Sequence, residues 1–525
     1  MKKTMKQHSF ASRLKSLTLV FGIALAFASC ANEEIAQNPN GTDNNKNFTI
    51  FSTGDPATRT SMESNGAFYW EAGDKIWVKD DNGAWQQSRN APTEKTASFK
   101  FEVPGKFTKT TTYKVYYPGK NGNQNQVTIA ANQSQAEPNT TAHFGTSGDC
   151  GMADATWSNT KNGFAFTLDH KAAYLLFLPR TSNTILHNCY LTKVEINSDN
   201  DITSTYTLDP TTGKLIGTGT GKQITITTKG STSSTYKNGF PLTNNATSAA
   251  TNGAYVVIKP GTHILKIRYW VKDVATGTEG AITKTLPSAI YDQNKYYSIT
   301  ANLDVRDYDG TKYYMWDAQQ NYWSGHEWNS ANPWQPVLTW GTNSNYAKNN
   351  SDPRYYNESF PGYGVSNPAI HSCKDFPNAN EMSWYSTYGD PHWDRDELWT
   401  TMGHLYKSVI WFKKKSVLQA EGHYNTEKSA DNTTDLRTTF KNYVNNIINP
   451  SAPSAADAGN YFYLPLLGYY RNGMLTSVGS IGSYWSSSAD PRGSDRAYAL
   501  QISSTSIFTT YYFRDMSARA EAVLE

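Results

Sequence analysis

The residue best placed for covalent chemistry is Cys30, which follows directly on Ala28 and Ser29. Five basic residues and an apolar run that starts at Leu17 precede it. A basic start, a short apolar core and small residues before a cysteine are typical of a lipoprotein signal, in which the thiol is acylated and the preceding bond is cut. The apolar core is too short to span a bilayer permanently. We therefore predict a signal peptide over residues 1–29 and a lipid, palmitate included, on Cys30.

The residues that follow Cys30 indicate where such a lipoprotein would be delivered. Ala31 to Glu34 resemble the acidic tag that sends Bacteroidetes lipoproteins to the outer face of the outer membrane. Residues 30–46 are rich in Asn and Gln and almost free of apolar side chains, so we predict a tether. The alternative is an ordinary secreted protein in which the cysteine occurs by chance.

A glycine-rich stretch could be taken for a phosphate-binding loop. It runs from Ile216 to Lys222 and holds three glycines before its lysine. A phosphate loop needs Gly where Ile216 stands and Ser or Thr where Gln223 stands. We therefore predict an ordinary loop between two strands.

Several acidic residues between Asp390 and Glu397 could offer oxygen ligands to Ca²⁺. His392 interrupts their alternation and Arg395 adds opposing charge, so we predict a turn and the start of a helix there. The histidines lack metal-ligand spacing, and no nucleophile elbow surrounds any serine. A spatial pair of carboxylates, as in glycosidases, stays open, but we predict no catalytic residue, no metal, no cofactor and no enzyme.

Charge and cysteine usage narrow the class of protein further. Without residues 1–29 the chain has 43 basic and 45 acidic residues, a net charge of −2. It therefore lacks the excess of basic residues that is typical of nucleic-acid-binding proteins. Besides Cys30 it has Cys150, Cys189 and Cys373, too few and too far apart for a zinc site. Cys150 and Cys189 are a candidate disulfide.

Short alternating runs separated by turn residues dominate the chain up to about residue 305. Examples are Phe48–Phe51, Tyr113–Tyr117 and Leu191–Ile196. Strands of this length at such spacing favour β-sandwiches. We predict one sandwich over residues 47–183 and a second over residues 184–305.

Residues 311–525 have a different character, since they hold 10 of the 15 Trp and 20 of the 34 Tyr. Two stretches there, Asp394–Phe412 and Asp435–Ile448, are predicted to be helical. We expect most of the rings to fill a core. A few exposed rings within Trp323–Trp340 or Tyr355–Tyr363 are the candidates for stacking on a glycan, and the ligand itself is unknown.

Two blocks near the start resemble the fimbrillin-type proteins of Bacteroidetes. The first is Thr58-Arg59-Thr60-Ser61 followed by Phe68–Ile76, and the second is Phe164–Ala173. Together they cover roughly residues 47–303. The resemblance implies two tandem β-sandwiches and assembly into surface pili.

The last part of the chain is similar to the Fibrobacter succinogenes major-domain family, which has a fold like C-type lectins. The similarity lies in Leu464–Arg471, Gly482–Ser488 and Ala497–Leu500, with Phe376–Met382 upstream. It implies an α+β domain over residues 311–525. The calcium-lectin motif Glu-Pro-Asn is missing, so calcium-dependent sugar binding does not carry over.

Taken together, the sequence predicts a mainly β protein with two fimbrillin-type sandwiches and a lectin-like α+β domain. Fimbrillin resemblance implies proteolysis after a basic residue, for which Arg59 is the candidate, loss of the first strand, and its replacement by a strand of another fimbrillin subunit. A C-terminal domain that keeps its own strands implies a tip adhesin for a host or dietary glycan or a surface protein. A basal anchor and a non-pilus glycan-binding lipoprotein are the alternatives.

Overall fold

The computed structural model describes residues 5–9, 48–53, 61–62, 68–360, 362 and 368–520. Its contacts divide the chain into two compact units. The first unit consists of Met1–Ser182, Tyr190–Trp270 and Ile282–Leu303, and the second consists of Asn183–Cys189, Val271–Ala281 and Asp304–Glu525. No helix in the described part of the chain is long and apolar enough to cross a membrane.

Up to residue 302 almost all regular structure is extended, as the alternating sequence predicts. The strands in the first half of this region are β1 (Met5–Ser9), β2 (Thr49–Thr53), β3 (Ser61–Met62), β4 (Phe68–Tyr69), β5 (Trp77–Lys79), β6 (Trp85–Gln87), β7 (Lys100–Val103), β8 (Tyr113–Tyr117), β9 (Gln126–Ile129), β10 (Asn132–Gln135), β11 (Gly151–Ser158), β12 (Gly163–Phe166) and β13 (Asp169–His170). One short helix, α1 (Phe144–Ser147), lies among them.

The second half of this region continues in the same way. Its strands are β14 (Ala173–Arg180), β15 (Tyr190–Ser198), β16 (Ser204–Leu208), β17 (Leu215–Ile216), β18 (Gln223–Thr228), β19 (Phe240–Pro241), β20 (Ala254–Ile258), β21 (Gly261–His263), β22 (Leu265–Lys272), β23 (Glu279–Thr285), β24 (Ala289–Tyr291) and β25 (Lys295–Asn302). Its one α-helix is α2 (Ala249–Asn252). The stretch 216–222 joins β17 to β18, which confirms the predicted loop.

Three main sheets order these strands. They run β6-β5-β8-β11-β12-β2-β7, β10-β18-β15-β22-β23 and β1-β25-β14-β20. Strands from before residue 183 pair with strands from after it, since β10 pairs with β18 and β14 pairs with both β20 and β25. The division of residues 47–305 at residue 183 stays a prediction.

The first sheet encloses an aromatic core. Phe51, Trp70, Phe101 and Phe164 are all fully buried and pack in one cluster. In a strand with one buried face, alternate residues reach the core, and β7 follows that pattern with Phe101 and Val103 inside. Burial of these aromatic side chains removes apolar surface from water, and this stabilises the first sheet.

The second unit combines strands with two further helices. Its strands are β26 (Arg306–Tyr308), β27 (Tyr313–Met315), β28 (His392–Thr401), β29 (His404–Lys413), β30 (Tyr443–Asn445), β31 (Tyr461–Pro465), β32 (Tyr469–Arg471), β33 (Met474–Thr476), β34 (Ile481–Ala489), β35 (Arg496–Ser503), β36 (Ile507–Phe513) and β37 (Ser517–Arg519). The helices are α3 (Ala379–Tyr388) and α4 (Lys415–Ala420). The main sheets run β26-β28-β29-β31 and β30-β36-β35-β34-β37-β32-β33.

The predicted helix over Asp394–Phe412 is wrong. The segment forms the antiparallel hairpin β28–β29, with a bulge between Asp394 and Leu398. The turn at its tip places Met402 at φ 47° and Gly403 at φ 81°, the backbone of a tight two-residue hairpin turn. Asp394 accepts hydrogen bonds from the backbone N–H groups of residues 396 and 397, so it shapes the bulge instead of starting a helix.

The predicted helix over Asp435–Ile448 is also wrong. The chain there is mostly irregular, with only the short edge strand β30, and Ile447 is 84 % exposed. A helix does form at Ala379–Tyr388, where Asn378 and Glu381 cap each other's backbone N–H groups reciprocally. With these corrections the fold class is confirmed as mainly β.

Candidate functional site

The first strand after the predicted signal peptide and tether, β2, lies inside a sheet. It pairs in parallel with β12 and antiparallel with β7. β7 is the last strand on its side of the sheet and is attached through β2. Loss of β2 would therefore leave two strands, β7 and β12, each with an unsatisfied row of backbone N–H and C=O groups.

Phe51 is the side chain that anchors β2. Its ring is fully buried and stacks on Phe164 at a centroid distance of 4.9 Å. Phe107 and Tyr113 meet it edge-on, with centroids at 5.1 and 6.5 Å. Aromatic pairs in these arrangements stabilise a core beyond the area that they bury. Without β2 the sheet would hold an apolar slot the size of this ring.

A second strand from the start of the chain occupies an edge of another sheet. β1 pairs antiparallel with β25, with Met5 opposite Ile299 and Ser9 opposite Lys295. β1 lies within the predicted signal peptide, so its removal would expose the backbone of β25. Cys30 and Arg59, the predicted lipidation and cleavage residues, lie outside the described residues.

The last described strands of the chain are built into the sheet of the second unit. β36 lies between β30 and β35, while β37 pairs with β27, β32 and β34. Arg514, which directly follows β36, and Arg519, the last residue of β37, are fully buried. Arg514 donates to the carbonyl oxygens of Arg496 and Phe360 and packs 4.3 Å over the ring of Trp316. Burial lowers the pKa of Arg514 to about 10.

Most aromatic rings of the second unit fill cores, as expected from the sequence. Trp316, Trp323, Trp384 and Trp399 are no more than 1 % exposed. Trp340 and Phe513 are exceptions, with 67 % and 41 % of each residue exposed. Within the predicted range Trp323–Trp340, Trp340 is therefore the ring that a ligand can reach.

A buried polar cluster in the first unit escaped sequence analysis. Asp149 Oδ1 lies 2.9 Å from His170 Nδ1 and accepts a hydrogen bond from the hydroxyl of Tyr174. All three side chains are nearly or fully buried. Burial, together with Asp149, raises the pKa of Tyr174 well above its ordinary value. These bonds tie β13 and β14 to the segment before β11, which is a structural role.

The cysteines beyond Cys30 are all buried free thiols in the structure. Burial raises the pKa of Cys189 to about 12, and it raises the pKa of Cys150 and Cys373 as well. The pairing of Cys150 with Cys189 stays a hypothesis. Among the residues that the structure describes, no group of three or more His, Cys, Asp or Glu side chains is arranged to hold a metal ion.

One turn of the second unit is organised around a buried carboxylate. Asp273 accepts hydrogen bonds from the backbone N–H groups of Ala275 and Leu405, at 2.8 and 3.0 Å. His404 Nδ1 lies 3.1 Å from the same carboxylate. Burial alone would raise the pKa of Asp273, but these donors outweigh it and hold the pKa below its ordinary value.

The chain was compared with known proteins. No protein-family model matches it, and no curated protein matches it. Among solved structures it is similar to a candidate cell adhesion protein from Bacteroides ovatus, with 14 % identity, 49 % of this chain and 93 % of that chain covered, and a TM-score of 0.30.

Two further similar structures are described as fimbrial proteins. A fimbrial assembly protein from Parabacteroides distasonis shares 12 % identity over 48 % of this chain and 90 % of its own, with a TM-score of 0.23. The fimbrial anchor protein Mfa2 from Porphyromonas gingivalis shares 13 % identity over 46 % of this chain and 82 % of its own, with a TM-score of 0.21. At these TM-scores the similarity carries no weight for function.

Proposed function

We propose that this protein is a subunit of a bacterial surface fimbria that accepts a strand from a neighbouring subunit and presents a binding domain at the fibre tip. The observation that carries the proposal is the position of β2. A strand near the start of the chain fills a slot between β7 and β12, anchored by one buried ring, Phe51. The segment that follows β2 holds Arg59, so one cut there would free the strand.

The physics of the exchange follows from what β2 supplies. It satisfies the backbone groups of two strands and fills an apolar slot beside Phe164. A strand from another subunit would restore both, because β-augmentation uses main-chain hydrogen bonds for affinity and alternate side chains for specificity. The partner in this proposal is another fimbrillin-type subunit.

The tip position is supported by the strands of the second unit. A shaft subunit must also release a strand of its own for the next subunit. β36 and β37 are paired on both sides, and two buried arginines hold them, Arg514 directly after β36 and Arg519 at the end of β37. Releasing either strand would take the sheet of the second unit apart, so these strands cannot serve as donors.

The predicted lipid on Cys30 connects the proposal to the cell surface. An acylated precursor would reach the outer membrane, and cleavage after Arg59 would separate the lipid from the fimbrial form. If Arg59 stays uncut, the same chain is a basal anchor or a glycan-binding lipoprotein outside any fimbria. The exposed Trp340 is compatible with binding in all three cases.

The deciding measurement is the N-terminus and size of the protein in fibres sheared from its native host. We expect an N-terminus directly after Arg59 in high-molecular-weight material, and loss of that species in an Arg59→Ala variant. Arg89→Ala, which changes an arginine beyond β2, is the matched control and should leave the processing unchanged. An intact acylated Cys30 found only in the membrane fraction would contradict the tip position.

A further inference from the structure

The second unit contains a cavity of about 440 Å³ that none of the preceding functions uses. Four chain segments line it, namely residues 275–278, 338–339, 406–407 and 478–480. Leu338 and Val478 give it apolar walls, while Thr278, Thr339 and Ser480 contribute hydroxyl groups. Its volume falls in the range of small-molecule sites, and its wall combines apolar side chains with polar groups in similar measure.

Lys407 brings one cation to the same cavity. Its ammonium group donates a hydrogen bond of 3.1 Å to the backbone carbonyl of Glu279, which fixes the direction of the side chain. Tyr406 next to it stacks on Trp399 at 5.3 Å and donates to the carbonyl of Val337. The floor of the cavity is therefore held in place by buried neighbours.

Unusual backbone conformations concentrate around this cavity. Twelve residues other than glycine have positive φ in the described part of the chain, and seven of them are Asn or Asp, which adopt it most readily. Of the other five, Trp340, Ser408 and Ser477 each stand next to a residue that lines the cavity. Strained backbone of this kind collects at binding sites, where it fixes the shape of the site.

Trp340 combines two features that are unfavourable for folding. Its φ of 73° is a left-handed conformation that a bulky side chain rarely adopts, and its ring is 67 % exposed. The turn is rigid, because the Gly341 N–H donates to the Leu338 carbonyl at 2.9 Å and the Trp340 N–H donates to the Leu475 carbonyl at 2.8 Å. A Trp with a strained backbone and a mostly exposed ring contributes little to the stability of the fold. Its side chain is therefore better explained by contact with a ligand.

We propose that this cavity, together with the ring of Trp340, which follows the lining residue Thr339 in the chain, is a carbohydrate-binding site; the inference rests on the adhesin role proposed above and names its ligand class. Carbohydrates present apolar C–H faces that stack on an aromatic ring, and hydroxyl groups that exchange hydrogen bonds with protein hydroxyls and amines. Trp340 supplies the ring, while Thr278, Thr339 and Lys407 supply the polar partners. No metal ion takes part.

The test uses residues 31–525, which are the predicted mature chain without its lipidated Cys30, on a printed array of mucin-type and plant-type oligosaccharides. The strongest oligosaccharide is then titrated by calorimetry against three variants. Trp340→Gly removes the ring and gives the positive φ to the residue that tolerates it best. Thr339→Val removes only a hydroxyl, and Phe513→Ala removes another exposed ring, from β36, as the matched control.

We expect Trp340→Gly to weaken binding about tenfold or more without lowering the thermal midpoint, since relief of the strained φ offsets the loss of a mostly exposed ring. Thr339→Val should weaken binding by about threefold to tenfold, and Phe513→Ala should bind like the wild type. A merely structural Trp340 would show the reverse pattern, with unchanged binding and a lowered midpoint.

Three outcomes would overturn the site or separate it from the fimbrial proposal. Carbohydrate binding that is unchanged by Trp340→Gly and Thr339→Val would place the ligand elsewhere and refute this site. A wild-type chain that enters fibres but binds no oligosaccharide would refute the site while the fimbrial proposal stands. Binding of residues 31–525 that depends on Trp340, together with an intact acylated Cys30 found only in the membrane fraction of the native host, would support the site and contradict the tip position.

Discussion

Phe51 is the residue that contributes most to the packing of β2 in its sheet. Its ring is fully buried against three other aromatic rings. Phe51→Ala should lower the free energy of unfolding of the first unit by about 3–5 kcal/mol, because a large buried ring is replaced by a cavity. Urea denaturation, followed through the transition of the first unit, measures the change.

Phe513→Ala is the control for that prediction, because the ring of Phe513 is 41 % exposed and lies in the second unit. It should leave the transition of the first unit where the wild type has it. A Phe51→Ala chain with a wild-type midpoint would mean that β2 is not seated in the core, and the strand-exchange proposal would lose its physical basis.

The buried thiols make a second residue-scale prediction. Because burial raises the pKa of Cys189 to about 12 and also raises those of Cys150 and Cys373, the folded chain should hold no thiolate at about pH 8. We expect residues 31–525 to resist iodoacetamide when folded and to take up three labels once denatured without reductant. One label in place of three, located on Cys373 by peptide mapping, would instead establish the bond between Cys150 and Cys189.

Among the elements, the turn that follows β22 carries a pH-dependent prediction. The folded-state pKa of Asp273 lies below its ordinary value near 3.8. Its stabilising effect is therefore complete above the unfolded-state pKa and disappears as the pH falls through the folded-state pKa. Asp273→Asn should lower the free energy of unfolding of the second unit at neutral pH by about 2 kcal/mol, since a buried, multiply bonded carboxylate is lost.

The measurement is a series of urea denaturation curves between about pH 7 and pH 2. The difference between wild type and Asp273→Asn should shrink as the solution becomes acidic. Asp396→Asn is the matched control, because its carboxylate is 73 % exposed and its nearest cation, Arg395, is similarly exposed. A constant difference at all pH values would show that the ionised carboxylate is not what stabilises the turn.

The strands of the first unit were predictable because period-two alternation is a local signal. Tyr113–Tyr117 was predicted as a strand and is β8. The hairpin β28–β29 was missed because the last four residues of β28 are buried without alternation, and because its Met402-Gly403 turn lacks the usual Asn-Gly or Asp-Gly. Helix α3, in contrast, carried a visible signal in Asn378 and Glu381 that periodicity alone overlooks.

For the whole molecule, the sequence predicted the class of fold, but not how distant segments combine. The position of β2 depends on Phe51 pairing with Phe101 of β7, 50 residues away, and with Phe164 of β12, 113 residues away, which no local pattern encodes. Trp340 fell within a predicted range, yet its positive φ and its cavity follow from tertiary contacts. The same holds for the membership of Asn183–Cys189 and Val271–Ala281 in the second unit.

That membership has a consequence for how the chain can be divided. The chain passes from one compact unit to the other five times, at residues 182/183, 189/190, 270/271, 281/282 and 303/304. Each unit is therefore assembled from three separate stretches of the chain, and no single cut yields either unit whole. In a chain that ends at residue 303, we expect a protease to cut first within Asn183–Cys189 and Val271–Ala281, because these stretches are then parted from the rest of the second unit.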